Sequence, residues 1–237
     1  MNKKEFALLC LLLLPPFTHA ENKVVHLTSL EWPPYAGENL PQQGSSIAAA
    51  RAAFAAVGYE LKVTFFPWSR AVALAKSSDS KFMGYFPEYY SKSTADNFFY
   101  SDEIGSGPLG FAERKSKSIP WVDLTDLSPY RIGIVQDYIN TEAFDLMVEE
   151  KTLTTSSTIS DINNLKKLMS GRLDLAVIDK NVMDYLFATD PSLIEKSHLA
   201  QFNNTLLEEK ELYICFKKSP QGEKIKNLLN KGLKELK

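Results

Sequence analysis

Short β-branched or apolar runs alternate with stretches of helical period along this chain, which predicts an α/β fold. Val24 to Thr28 reads as a strand. Trp32-Pro33-Pro34-Tyr35 must be a loop, because two prolines remove backbone donors and fix φ. Ser46 to Val57 is Ala-rich and helical, with Gly58 as a stop. Leu61 to Phe66 is a strand closed by Pro67, and Trp68 to Lys76 a helix directly after it. Lys81 to Phe86 and Phe98 to Ile104 read as extended pieces. Gly105 to Gly110 holds three glycines and a proline and reads as a loop or crossing point, from which Phe111 to Arg114 leads on.

A second α/β pattern follows. Arg131 to Val135 is a strand and Thr141 to Glu150 a helix, with Glu142 near its positive end. Ser160 is a good N-cap for a helix over Asp161 to Met169, which Gly171 ends. Leu173 to Ile178 is an apolar strand and Asn181 to Phe187 a helix. Glu211 to Phe216 is the last strand. Gly222 to Leu236 closes the chain as a helix with Ile225, Leu228, Leu229 and Leu233 on one face. Two α/β units, with one strand and one helix left over, predict a discontinuous first lobe.

The first twenty residues have a different character. Lys3 and Lys4 precede the apolar run Phe6 to Leu14, then Pro15-Pro16 and the cleavage-type sequence Thr18-His19-Ala20. Charge, run and site in that order predict a signal peptide over residues 1–20. The run is far shorter than the ~20 apolar residues of a membrane span, so no membrane insertion is expected after cleavage. Cys10 lacks a small residue before it, which speaks against lipidation. Export to the periplasm is the expected destination.

The formal charge of −2 for the whole chain excludes neither export nor a globular core, but gives no basis for binding nucleic acid. After cleavage Cys215 is the only cysteine, so no internal disulfide can form; within Leu212 to Phe216 it reads as a small buried hydrophobe. His26 and His198 have no metal-ligand spacing, which predicts no metal site and no Ser-His-Asp triad. No cofactor is expected. Glu31, Glu88 and Glu103 have no fixed mutual spacing and read as solvated or loop-capping acids, so no catalytic residue is assigned.

Five segments in order resemble bacterial extracellular solute-binding proteins of family 3, the substrate-capturing parts of polar amino acid ABC transporters and their relatives. They are Trp32-Pro33-Pro34-Tyr35 with Leu40-Pro41 and Gly44; Ala53-Phe54 and Gly58-Tyr59 with Phe65-Phe66-Pro67-Trp68-Ser69-Arg70-Ala71; Phe99-Tyr100-Ser101-Asp102 before Ile104-Gly105; Asn164 to Leu168 running into Gly171 to Asp179; and Phe216 to Pro220. The resemblance implies a two-lobed, type II periplasmic-binding-protein-like fold with a two-strand hinge. Lobe 1 would take residues 21–113, lobe 2 residues 114–210, and the return to hinge and lobe 1 residues 211–237. It also implies a monomer that captures a small-molecule solute for an ABC permease or a membrane sensor. The alternative is a periplasmic enzyme on the same fold, such as a cyclohexadienyl or prephenate-type dehydratase.

In that family an arginine typically stands seven residues before the serine of the Phe-Ser pair and clamps the ligand carboxylate as a planar fork. Here that position is Thr94, and the arginine is absent. Arg70, near a helix N-terminus, could replace the charge or could be structural. The resemblance places Asp179 where an acid meets a ligand ammonium group; capping of the next helix is the competing role. Trp32, Tyr35, Trp68 and Tyr89 are the aromatic candidates for stacking. Of these, Trp32 and Tyr35 come first, since a double-proline loop leaves little room for a core role. Gln136 and the neighbouring Asp137 could face the ligand from lobe 2; family members often carry glycine where Asp137 stands.

Overall fold

The computed structural model describes residues 23–236, so the predicted signal peptide and Cys10 lie outside the described residues. The elements in chain order are β1 (Val24–Ser29), α1 (Ser45–Ala56), β2 (Glu60–Phe65), α2 (Trp68–Lys76), β3 (Gly84–Glu88), α3 (Lys92–Ala95), β4 (Phe98–Tyr100) and β5 (Gly105–Arg114). Then follow β6 (Arg131–Val135), α4 (Glu142–Glu149), β7 (Thr154–Thr158), α5 (Asp161–Met169), β8 (Leu175–Asp179), α6 (Lys180–Thr189), β9 (Ala200–Phe202), β10 (Glu208–Lys217) and α7 (Pro220–Glu235).

The strand order is β2-β1-β3-β10-β5-β8-β6-β7, with β4 also on β10 and β9 also on β5. Two lobes emerge from the registers. In lobe 1, β1 pairs parallel with β2 and β3, and the second half of β10 runs antiparallel to β3 and β4. In lobe 2, β6 pairs parallel with β7 and β8, and β5 runs antiparallel to β8 and β9. The lobes are joined where Gly105 to Leu109 of β5 pairs with Glu208 to Leu212 of β10. This is a hinge of two strands.

The glycine-rich Gly105 to Gly110 is therefore part of a strand, not a loop. Its backbone groups find partners on β10 and then β8, and that pairing outweighs the weak strand preference of glycine. The strand β7 carried no sequence signal, because Thr154 to Thr158 is polar throughout. It is the edge strand of lobe 2, with no fully buried position. The strand expected over Lys81 to Phe86 lies slightly later, over Gly84–Glu88, and is buried along its length.

Each lobe has its own apolar interior. Ile47, Ala50, Ala53 and Phe54 of α1 are fully buried, and Gly232 of α7 lies so close to Ala53 that a Cβ there would overlap its carbonyl. In lobe 2, Phe111, Ile132, Phe144, Leu165 and Leu168 are fully buried. Cys215 is buried, as expected of a small hydrophobe. No helix among the described residues is long and apolar enough to cross a membrane.

Candidate functional site

The site lies in the cleft between the lobes and is assembled from four chain segments. The first is the turn after β1. The Trp32 backbone N–H donates to the Ala36 carbonyl (2.8 Å), and the tight turn brings the rings of Trp32 and Tyr35 together with centroids 4.7 Å apart. Both are buried. Tyr35 reaches across the cleft: its hydroxyl donates to the Asp179 carboxylate (3.1 Å) and accepts from Asn181 Nδ2 (2.8 Å). The Tyr89 hydroxyl donates to the same carboxylate (3.4 Å), and its ring meets Trp32 edge-on at 5.9 Å.

Asp179 takes the capping role weighed for it. Its Oδ1 accepts from the backbone N–H groups of Asn181 (2.8 Å) and Val182 (3.1 Å), capping α6. Its other contacts tie lobe 2 to Tyr35 and Tyr89 of lobe 1. Gly107 of the hinge makes room for this cluster, since a Cβ there would sit 2.0 Å from Tyr35 Oη and 2.2 Å from Asp179 Oδ2. Nothing in the sequence pattern distinguished Gly107 from a turn glycine.

The second segment is the start of α2. Trp68 Nε1 donates to the Asp137 carbonyl (3.0 Å), and the Ser69 hydroxyl donates to the Asp137 carboxylate. The Trp68 ring also meets Tyr138 edge-on at 6.0 Å. Asp137 has φ of +61°, a conformation that favours glycine, which explains the family's preference at this position.

The third segment is the end of β3. Glu88 is only 6% exposed, so its reading as a solvated acid is corrected; Glu31 and Glu103 are exposed. Tyr85 donates to its carboxyl group through a hydroxyl (3.1 Å) and Tyr89 through its backbone N–H (2.9 Å). Burial outweighs these bonds and the charge of Lys210, pushing the Glu88 pKa up to about 8.

The fourth is the start of α5. Asp161, 7% exposed, faces the Trp32 indole N–H. Burial, then the charge of Asp179, pushes its pKa up to about 7. Burial also raises Asp179, to about 6, against the hydrogen bonds it accepts. Glu88, Asp161 and Tyr138 were not among the expected site residues. Glu88 and Asp161 carry ordinary strand-end and helix-start signals, and only folding buries them in a shared cleft.

These segments wall a small inner cavity of about 30 Å³, lined by Trp32, Trp68, Glu88, Tyr89, Tyr138 and Leu212 among others. Beside it lies an outer cleft of about 620 Å³ that shares Trp32, Trp68 and Tyr138 and adds Asp161, Phe65 and Phe66. Of the expected residues, Trp32, Trp68 and Tyr89 line these cavities, while Tyr35 and Asp179 bond to each other behind them. Arg70, Thr94 and Gln136 line neither cavity. Arg70 is exposed, with its guanidinium over the Phe66 ring at 5.1 Å. Thr94 stands behind the site: its side chain meets the Tyr100 hydroxyl, which donates to the Tyr89 carbonyl (2.9 Å). Gln136 is exposed and contacts Asp137 (3.4 Å). Among the described residues no group of three or more His, Cys, Asp or Glu side chains could hold a metal ion.

The fold is the two-lobed α/β architecture of periplasmic binding proteins, with a ligand-sized cleft across a two-strand hinge. Solved structures bear this out. The GluR0 ligand-binding core from Nostoc punctiforme in complex with (L)-glutamate superposes with a TM-score of 0.70 at 19% identity, over 90% of this chain and 92% of that one. An ancestral arginine-binding protein bound to arginine gives 0.73 at 16% identity, over 91% and 92%. A histidine kinase sensor domain similar to periplasmic binding proteins gives 0.76 at 16% identity, over 91% and 90%. No family model matches the sequence, and no curated protein matches it.

Proposed function

We propose that this chain is a periplasmic solute-binding protein, exported by residues 1–20, that captures a small polar or aromatic solute of amino-acid size between its lobes. Delivery to an ABC permease or reporting to a membrane sensor would follow from the closed form. The lobes divide within the hinge strands, near residues 107 and 210 rather than at 113, and the ligand contacts include Trp32, Tyr35, Trp68, Tyr89 and Asp179. The observation that carries this reading is the shared wall of the inner cavity: Trp32, Trp68 and Glu88 come from lobe 1 and Tyr138 from lobe 2. A solute can touch both sets only when the lobes are closed, so binding draws the population toward closure. The protein acts by binding and not by catalysis.

The test is thermal unfolding across a panel of small solutes, with small-angle scattering on any hit. Saturation at about 100 times Kd adds roughly 2.7 kcal/mol of stability, and closure lowers the radius of gyration. Stabilisation without compaction would remove the flytrap mechanism. A second reading has one observation in its favour: acids held protonated near neutral pH, such as Glu88, can serve as general acids in a dehydratase. Steady formation of product from prephenate-type acids would favour it.

A further inference from the structure

From the charge and chemistry of the cleft walls we infer that the solute is an organic cation, an amine or quaternary ammonium compound without a carboxylate. This rests on the solute-capture reading above and narrows it. Among the described residues, the walls of the inner cavity and outer cleft carry the carboxyl groups of Glu31, Glu38, Glu88 and Asp161 and no Lys, Arg or His. An anionic group entering there would find no cationic fork to receive it, whereas a cation would draw the buried acids into their charged form. Arg70 lines neither cavity; its guanidinium is exposed and stacked over the Phe66 ring at 5.1 Å. The N-terminus of α5 also faces the cleft. Of its first N–H groups, Asn163 donates to Ser160 Oγ (3.4 Å), Asn164 to the Ser160 carbonyl (3.3 Å), and Asp161 meets its own carboxylate.

The basic groups nearby are committed elsewhere. Lys210, buried in the hinge, places Nζ 3.4 Å from Glu208 and over the Tyr89 ring at 5.4 Å, and lines neither cavity. Lys166, Lys167, Arg172 and Lys196 line a neighbouring groove that shares only Ile159 with the cleft. The remaining walls are the faces and edges of Trp32, Trp68, Tyr89 and Tyr138, which attract a desolvated cation through their quadrupoles. Asp161 is the most buried of the outer-cleft acids, 7% exposed, with Asp179 as its charged neighbour and no ion-pair partner among the described residues.

The experiment uses matched pairs that differ by a carboxylate: agmatine against arginine, cadaverine against lysine, tyramine against tyrosine, and choline against glycine betaine. Calorimetric titration of the purified protein at pH 8 is expected to show at least one cation binding at least tenfold more tightly than its carboxylated partner. Asp161→Asn should weaken that cation at least tenfold, and Trp68→Leu should weaken it as well. Binding of the carboxylated member equally or more tightly would overturn the cation assignment while leaving solute capture standing. No binding by any member, with another solute from the broad panel closing the lobes, would overturn the assignment in the same way. No binding and no closure by any solute would bring down both readings. The wild-type comparison decides the matter even if a variant fails to fold.

Discussion

Two sets of buried acids in this molecule have opposite surroundings. Asp174 in lobe 2 is 8% exposed and sits within 3.1–3.4 Å of Arg114, Lys117 and Arg131. Burial opposes its charge, but the Arg131 backbone N–H and the Lys117 and Arg114 side chains prevail and hold its pKa at about 2. Glu88, Asp161 and Asp179 are as little exposed but lie deeper in the protein, their partners are hydroxyl, indole and amide groups, and their pKa values rise to about 8, 7 and 6. The difference teaches that depth of burial and the availability of a counterion together set a charge. Asp174 is complete within the fold. The cleft acids are complete only when something cationic joins them.

The largest expected effect of this contrast is on pH-dependent stability. For Asp161 the folded pKa of about 7 lies above the ordinary 3.8, so the folded state holds the proton more tightly. Its contribution is full below about pH 4 and is lost as pH rises through 7. Glu88 behaves alike, losing its contribution as pH rises through about 8. Each unit is about 1.4 kcal/mol, so wild type should lose a few kcal/mol relative to an Asp161→Asn, Glu88→Gln double variant between pH 5 and 8. Urea unfolding at several pH values measures this, and parallel curves would refute the assigned burial effects. Asp174 has the opposite sign: its stability is present above about pH 4 and lost as pH falls through 2.

Next in size is Asp174→Asn, which leaves the cations around it without their counterion. A loss of about 3 kcal/mol is expected, read from the denaturation midpoint at pH 7. A loss under about 1 kcal/mol would mean that the ion cluster is no better paired than a surface bridge.

Gly107→Ala follows. Its Cβ would meet Tyr35 Oη and Asp179 Oδ2, costing about 2 kcal/mol by overpacking and weakening the closed form. Scattering should show a more open protein. An unchanged radius would place the closing contacts elsewhere.

The smallest effect is expected from Arg70→Ala. The side chain is exposed and stacked on Phe66, so stability should change by under about 0.5 kcal/mol and ligand affinity hardly at all. A large loss of affinity would return Arg70 to the site.

Part of the site could be read in advance and part could not. Trp32 and Tyr35 were legible because a double-proline turn has few ways to bury two rings, although both turned out to be packed in the cleft rather than exposed on a loop. Asp179 was legible as a cap, because an acid between a strand end and a helix start has backbone N–H groups within its reach. Glu88 and Asp161 were not, because an acid looks the same in sequence whether water or a second lobe covers it. Gly105 to Gly110 is the expected crossing between the lobes, but it crosses as a strand rather than a loop because β10 and β8 lie beside it.

By itself the sequence determined the alternation of strands and helices, the discontinuous lobe, the absence of an arginine at Thr94 and the cap at Ser160. These depend on neighbours a few residues away, whose spacing is fixed by backbone geometry. Only the tertiary structure decided which acids find a counterion and which do not. That choice depends on groups up to 144 positions apart, as Tyr35 and Asp179 are, and on the water that closing lobes exclude from between them.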